Sequence, residues 1–343
     1  MKRLERAVQL LDPPAGHPAI EVISLTKRYG RGPDALTAVN HVSLTVPAGQ
    51  VIGLLGPNGA GKTTTIKTIA GLVAPSSGTV RINGFDIARQ RASAVRQIGA
   101  VLEGSRNVYW PLSAWENLLY FGRLKGLRAP EIKPQAERLL SDLGLWERRR
   151  QPVGGFSRGM QQKVAVAAAL ITDPPVLLLD EPTLGLDVEA ARTFKDWVAH
   201  LAAEENKTIV LTTHQLDVAQ ELAGRIAVVR AGRIIADLAT GDLLARYADN
   251  RFEVTVAAPL DEGASCVKLP AGAGRERDGE VTRLTLPDSN PAALYQLLAD
   301  LGAADVPLVS VRRAQPDLEE VFLRLIHDDL PGVDENKPTK GAA

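Results

Sequence analysis

A chain of 343 residues is long enough for one large domain and a smaller one, and its 40 basic and 40 acidic side chains leave no net charge at neutral pH. That balance argues against the basic field of a nucleic-acid binder and against the acidic excess of a solvating tail. A single cysteine, Cys266, excludes an intramolecular disulfide and a cysteine-based zinc site, and it fits a reducing compartment.

Residues 1–17 end in the Pro and Gly of "DPPAGHP" and read as a flexible lead. Its start, "MKRLERAVQLLDPP", has the charge of a signal peptide, but Glu5 and Gln9 leave the apolar part too short. "AIEVISLTKRYG" and "LTAVNHVSLTV" alternate apolar and polar residues as half-buried antiparallel strands do, with "PAGQ" as the turn after them. "VIGLLG", "PVLLLDE" and "KTIVLTTH" are continuous apolar runs followed by polar residues. They predict buried strands whose carboxyl ends converge on one edge of a sheet, where open α/β folds put their sites.

Ser113 and Glu116 make a capping box that starts one helix, Pro130 with Glu131 starts another, and Gly144 should end it. Residues 110–170 are therefore expected to form a mostly helical insert. Within it, "GGFSRGMQQKVAVAAALI" begins a helix whose first turn offers Ser157, backbone amides and no acidic group, which attracts an anion. After "AVVRAGRIIADLATGD" the pattern changes. "RFEVTVAA", "EVTRLTLP" and "PLVSVRRA" have period two, while "NPAALYQLLADLG" and "PDLEEVFLRLI" have helical spacing, so a small α+β domain is expected over 250–327. Residues 328–343 are polar, carry Pro and Gly, and are expected to be disordered. No run approaches the ~18 apolar residues of a spanning helix, so a membrane role is expected only through a partner.

Chemistry concentrates in "VIGLLGPNGAGKTTT". Gly56, Pro57, Asn58, Gly59, Ala60 and Gly61 form a loop whose amides can face β- and γ-phosphate oxygens. Lys62 adds a cation, the Thr63 hydroxyl can ligate Mg²⁺, and Thr64 continues the helix start. "VLLLDEPT" supplies an acidic pair. Asp180 is placed to hold Mg²⁺ through water and Glu181 to orient or deprotonate an attacking water, against the alternative of a solvated strand end. His214 closes "TIVLTTH" in the same relation to its strand, either as a donor to the γ-phosphate or as a hydrogen-bonding spectator.

The order of these motifs resembles the nucleotide-binding subunit of ABC transporters over residues 18–240. The resemblance implies an α/β fold of the P-loop NTPase type. A mixed-sheet core would carry an antiparallel β subdomain and an inserted helical subdomain over 18–245, with the small α+β domain following. "FSRGM", Phe156 to Met160, is similar to the family's LSGGQ signature, with Arg158 and Met160 as departures. By that resemblance two chains pair head to tail, and Ser157 with the Gly159 amide grips the γ-phosphate of ATP on the partner's Lys62 loop. "LGLD", ending at Asp187, resembles the D-loop between the two sites. Tyr29 stands where an aromatic stacks on adenine, although an ordinary strand tyrosine would look the same. Glu103 in "IGAVLEGSRN" takes the place of the family's usual glutamine and is a further candidate toward Mg²⁺.

Tyr109, Trp110 and Trp115 either line a groove for a helix of the membrane subunit or belong to the core of the helical insert. "PDLEEVFLRLI" is similar to the C-terminal segment of ABC-2 type drug- and antibiotic-resistance exporter ATPases. The expectation is an ATP- and Mg²⁺-dependent ATPase, paired with a second ATPase subunit and a multi-spanning permease at the cytoplasmic face of the membrane, without nucleic acid. The rival is a soluble ABC ATPase acting on nucleic acid or ribosomes. It is disfavoured by the missing heptads between phosphate loop and signature, by a single phosphate loop, and by the neutral charge.

Overall fold

A computed structural model of the chain describes residues 16–32, 35–103, 107–247, 251–257, 267, 269–270, 272–286, 291–313 and 316–327. Residues 1–15 of the expected lead, Cys266 and the tail 328–343 lie outside them. The chain divides into two compact units, one ending at Thr240 and one beginning at Gly241.

The first unit opens with β1 (Ile20–Tyr29) and β2 (Leu36–Val46), an antiparallel pair as the alternation predicts. Then come β3 (Val51–Leu55), α1 (Lys62–Ile69), β4 (Ser77–Ile82), β5 (Phe85–Asp86), α2 (Arg91–Arg96) and β6 (Ile98–Val101). Helices α3 (Ala114–Leu124), α4 (Ala129–Asp142) and α5 (Arg158–Leu170) follow, then β7 (Val176–Asp180), α6 (Val188–Ala203), β8 (Thr208–Thr212), α7 (Leu216–Leu222), β9 (Arg225–Arg230) and β10 (Arg233–Ala239). One sheet runs β2-β1-β4-β5. The other runs β10-β9-β3-β8-β7-β6, parallel except for β10. Strands β3, β7 and β8 are buried at every position, which is why their sequences run apolar without alternation. Apolar side chains of both sheets and of α1 share one core, with Ile20, Ile52, Ile66, Ile82 and Leu178 fully buried.

Local signals set the helix limits. Ser113 Oγ accepts the Glu116 amide while Glu116 Oε2 accepts the Ser113 amide at 2.8 Å, closing the capping box of α3. Glu131 Oε2 accepts the Arg128 amide at 2.6 Å, so α4 starts one residue before Pro130, and Gly144 follows its end at φ +68°. Helix α5 is buried almost all round from Val164 to Leu170, whereas α6 buries only Phe194, Val198 and Leu201.

The second unit contains α8 (Thr240–Arg246), which begins at the boundary, β11 (Phe252–Val256), β12 (Gly274–Asp278), β13 (Val281–Thr285), α9 (Pro291–Ala303), β14 (Leu308–Arg313) and α10 (Leu318–His327). Its antiparallel sheet runs β12-β13-β11-β14, and Leu294, Leu297 and Leu301 of α9 pack with Val254, Val256 and Leu284. Glu253 takes Arg283 at 2.6 Å and Arg312 at 2.7 Å, joining three strands on one face. The Arg312 hydrogen bond is the main cause of a carboxyl held below the ordinary glutamate range.

Candidate functional site

The phosphate loop leaves β3 at Gly56 and enters α1 at Lys62. Gly61 caps the helix at φ +105°, and a Cβ there would lie 2.3 Å from the Ala38 carbonyl oxygen, so only glycine fits. The Ala60 amide donates to Pro57 O at 3.1 Å within the loop. From outside, the turn between β9 and β10 holds it: the Gly232 amide donates to Ala60 O at 2.9 Å, and the Asn40 amide of β2 donates to Gly232 O at 2.8 Å. The first turn of α1 has no acidic residue, which leaves its amides available to an anion. Lys62 Nζ donates to Gly56 O at 2.5 Å and Pro57 O at 3.1 Å. Burial lowers its pKa, opposed by the negative charges of Glu181, Asp180 and Glu103.

The acidic pair stands beside this loop because β7 and β8 run parallel with Asp180 opposite Thr212. Asp180 Oδ1 accepts from Thr212 Oγ1 at 2.6 Å and, more distantly, from Thr63 Oγ1 at 3.4 Å. Asp180 Oδ2 is buried and has no hydrogen-bond partner among the described residues. An orphaned carboxylate oxygen next to a threonine hydroxyl is a hard-oxygen donor set that fits Mg²⁺. No group of three or more His, Cys, Asp or Glu that could hold a metal occurs among the described residues. The site therefore suits a cation that takes its remaining ligands from phosphate and water.

Glu181 has φ +51°, the left-handed region, and its amide is shared between Thr212 O at 3.1 Å and Thr212 Oγ1 at 3.2 Å. Its carboxylate meets His214 Nδ1 at 2.8 Å and accepts the His214 amide at 3.3 Å. The glutamate side chain is 10% exposed and the histidine 54%, so the pair opens to solvent on the histidine side. Thr183 Oγ1 donates to Gln215 Oε1 at 2.5 Å, tying the segments after the two strands together. Lys62, Thr63, Asp180, Glu181 and His214 are thus gathered at one sheet edge. Glu103 is exposed in the turn after β6 and reaches Lys62 only through its charge. Sequence reasoning missed Thr212, whose partner across the sheet depends on strand register, and Thr183 and Gln215, whose pairing depends on how the segments after β7 and β8 approach each other.

The other candidates form separate groups. Ser157 is the N-cap of α5, its Oγ accepting the Met160 amide at 3.3 Å, and Asp187 is the N-cap of α6, its Oδ1 accepting the Ala190 amide at 2.7 Å. A Cβ on Gly159 would lie 2.9 Å from Ala190 Cβ, so the two helix starts abut. Arg158 lies across the intervening loop of its own chain: a Cβ on Gly185 would lie 2.8 Å from its Nη1. Among the described residues no hydrogen bond or ion pair joins Ser157, Gly159 or Asp187 to the phosphate loop. Tyr29 is 42% exposed at the end of β1, with Lys27 Nζ 5.0 Å from its ring centre. Tyr109 and Trp110 are exposed. Tyr109 packs edge-on to Tyr120 at 4.8 Å, whereas Trp115 is half-buried edge-on to Trp146 at 6.0 Å.

The ABC transporter family profile matches residues 39–184. The chain is 40% identical to the ABC transporter ATP-binding protein NatA of Bacillus subtilis over 68% of its own length and 94% of that protein. It is 36% identical to the daunorubicin/doxorubicin resistance ATP-binding protein DrrA of Streptomyces peucetius over 90% of its length and 92% of that protein. Among solved structures, an ATP-binding subunit of an ABC transporter superposes with a TM-score of 0.60 at 30% identity, covering 67% of this chain and 93% of that one. A dimeric ATP-binding cassette in a post-hydrolysis state bound to ADP and Pi gives a TM-score of 0.59 at 27% identity, covering 64% and 98%.

Proposed function

The chain belongs to the ABC transporter family as its ATP-binding, ATP-hydrolysing subunit, and from that premise we propose that two copies close on ATP and drive a separate multi-spanning permease in export. In this reading residues 18–245 are the cassette and residues 250–327 an accessory domain. The loop from Gly56 to Thr64 holds the β- and γ-phosphates, with Lys62 exchanging its loop carbonyls for phosphate oxygens. Thr63 and Asp180 are the residues that would hold Mg²⁺, with Glu103 beside them; when bound, the ion supplies charge stabilisation to the phosphoryl oxygens. Glu181 orients and deprotonates the attacking water, and His214, held against it, donates toward the γ-phosphate. Tyr29 offers its open face to adenine.

Ser157 and the Gly159 amide serve the nucleotide of the other copy, with Asp187 at the same interface. The separation of these residues from the phosphate loop within one chain supports that assignment. The observation that carries the hydrolytic reading is the unpartnered, buried Oδ2 of Asp180, whose Oδ1 faces Thr63 Oγ1 at 3.4 Å. Similarity to drug-resistance ATP-binding proteins over nine-tenths of the chain supports export. No helix among the described residues is long and apolar enough to cross a membrane, which supports peripheral attachment at the cytoplasmic face through the permease. Exposed Tyr109, Trp110 and Tyr120 offer a surface for that contact.

Glu181→Gln tests the division of labour. ATP affinity should be kept, hydrolysis should fall by about 10²–10⁴-fold, and an ATP-bound dimer should accumulate on size-exclusion chromatography. Hydrolysis at the wild-type rate would remove Glu181 from the mechanism.

A further inference from the structure

Thr212, the last residue of β8, is fully buried, and its side chain hydrogen-bonds to both members of the acidic pair. A hydroxyl has one proton to donate and lone pairs to accept with, and both functions are engaged. The proton goes to Asp180 Oδ1 at 2.6 Å, and a lone pair takes the Glu181 amide at 3.2 Å. Two consequences follow. Tying Oδ1 fixes the rotation of the Asp180 carboxylate and leaves Oδ2 as the oxygen without a partner. Sharing the Glu181 amide between the carbonyl and the hydroxyl of one residue holds the backbone at φ +51°, an uncommon conformation for glutamate.

We propose that Thr212 is a positioning residue of the hydrolytic site: its hydroxyl turns Asp180 so that one carboxylate oxygen is reserved for the divalent cation, and it pins Glu181 in the backbone conformation that carries its carboxylate to His214. The proposal rests on the ATPase reading. A purely structural Thr212 would be replaceable by any side chain of the same shape. A positioning Thr212 is replaceable only by another hydroxyl.

Full-length wild type, T212V and T212S are compared with a non-hydrolysable ATP analogue and Mn²⁺ as the spectroscopic probe, alongside steady-state hydrolysis with Mg²⁺. In T212V, Mn²⁺ affinity in the presence of nucleotide and kcat should each fall about tenfold, the scale expected when a hydrogen bond to a charged group is lost. Analogue binding without metal should stay within about twofold of wild type, and T212S should recover both losses. T212C, of similar size but a weaker donor, gives the same comparison if T212V does not fold, with loss expected again. Unchanged Mn²⁺ affinity in T212V, or in T212C where that variant replaces it, overturns the proposal. A serine variant as impaired as the valine one also does, because the methyl group would then matter. Wild-type protein without metal-dependent hydrolysis overturns the ATPase reading itself, and the proposal with it.

Discussion

Burial strips the Lys62 ammonium of part of its hydration, and the carbonyls of Gly56 and Pro57 replace only some of it. A phosphate arriving over the loop offers charged oxygens instead, which is the stronger bargain for a cation. Lys62→Ala should therefore weaken ATP binding by at least about tenfold while leaving the fold intact, read by isothermal titration and by circular dichroism. Unchanged affinity would mean that the loop amides alone hold the nucleotide. At this scale the phosphate loop was legible because its backbone path dictates residue type: Gly61 must be glycine at φ +105° against the Ala38 carbonyl. Thr212 was not legible. Nothing in "TIVLTTH" says which threonine faces Asp180 until the β7–β8 register places Asp180 opposite Thr212.

Among the elements, the starts of α5 and α6 form a pair of adjoining helix N-termini, each capped by its own side chain, Ser157 and Asp187. Among the described residues neither cap side chain makes another hydrogen bond; Ser157 Oγ accepts the Met160 amide, so its own proton is available to a phosphate oxygen from another copy. Ser157→Arg should leave nucleotide binding to the single chain unchanged and abolish ATP-dependent dimerisation, measured by light scattering with Glu181→Gln as the background. A dimer that survives would place the signature's role within one chain. The sequence announced β1, β2 and the buried strands β3, β7 and β8 through their apolar pattern. It did not announce β12, whose "GRERD" has no apolar face, because that strand lies on the sheet's edge with mostly exposed side chains.

For the whole molecule, no helix among the described residues is long and apolar enough to cross a membrane, and the proposed link to the membrane is a separate permease. Gentle detergent extraction of cells expressing the tagged chain should recover a multi-spanning membrane protein with it. Recovery with ribosomes or DNA in its place would favour a soluble role. The two units each have their own apolar core, one around the mixed sheet and one around Val254, Leu284 and Leu297. Hairpin tips are commonly where a chain tolerates extra residues. The tip between β9 and β10 is an exception, because Gly232 hydrogen-bonds to Ala60 of the phosphate loop on one side and to Asn40 of β2 on the other. An added residue there would pull at the proposed phosphate loop and at the antiparallel sheet together, so the length of a surface turn is set by a loop numbered some 170 positions earlier.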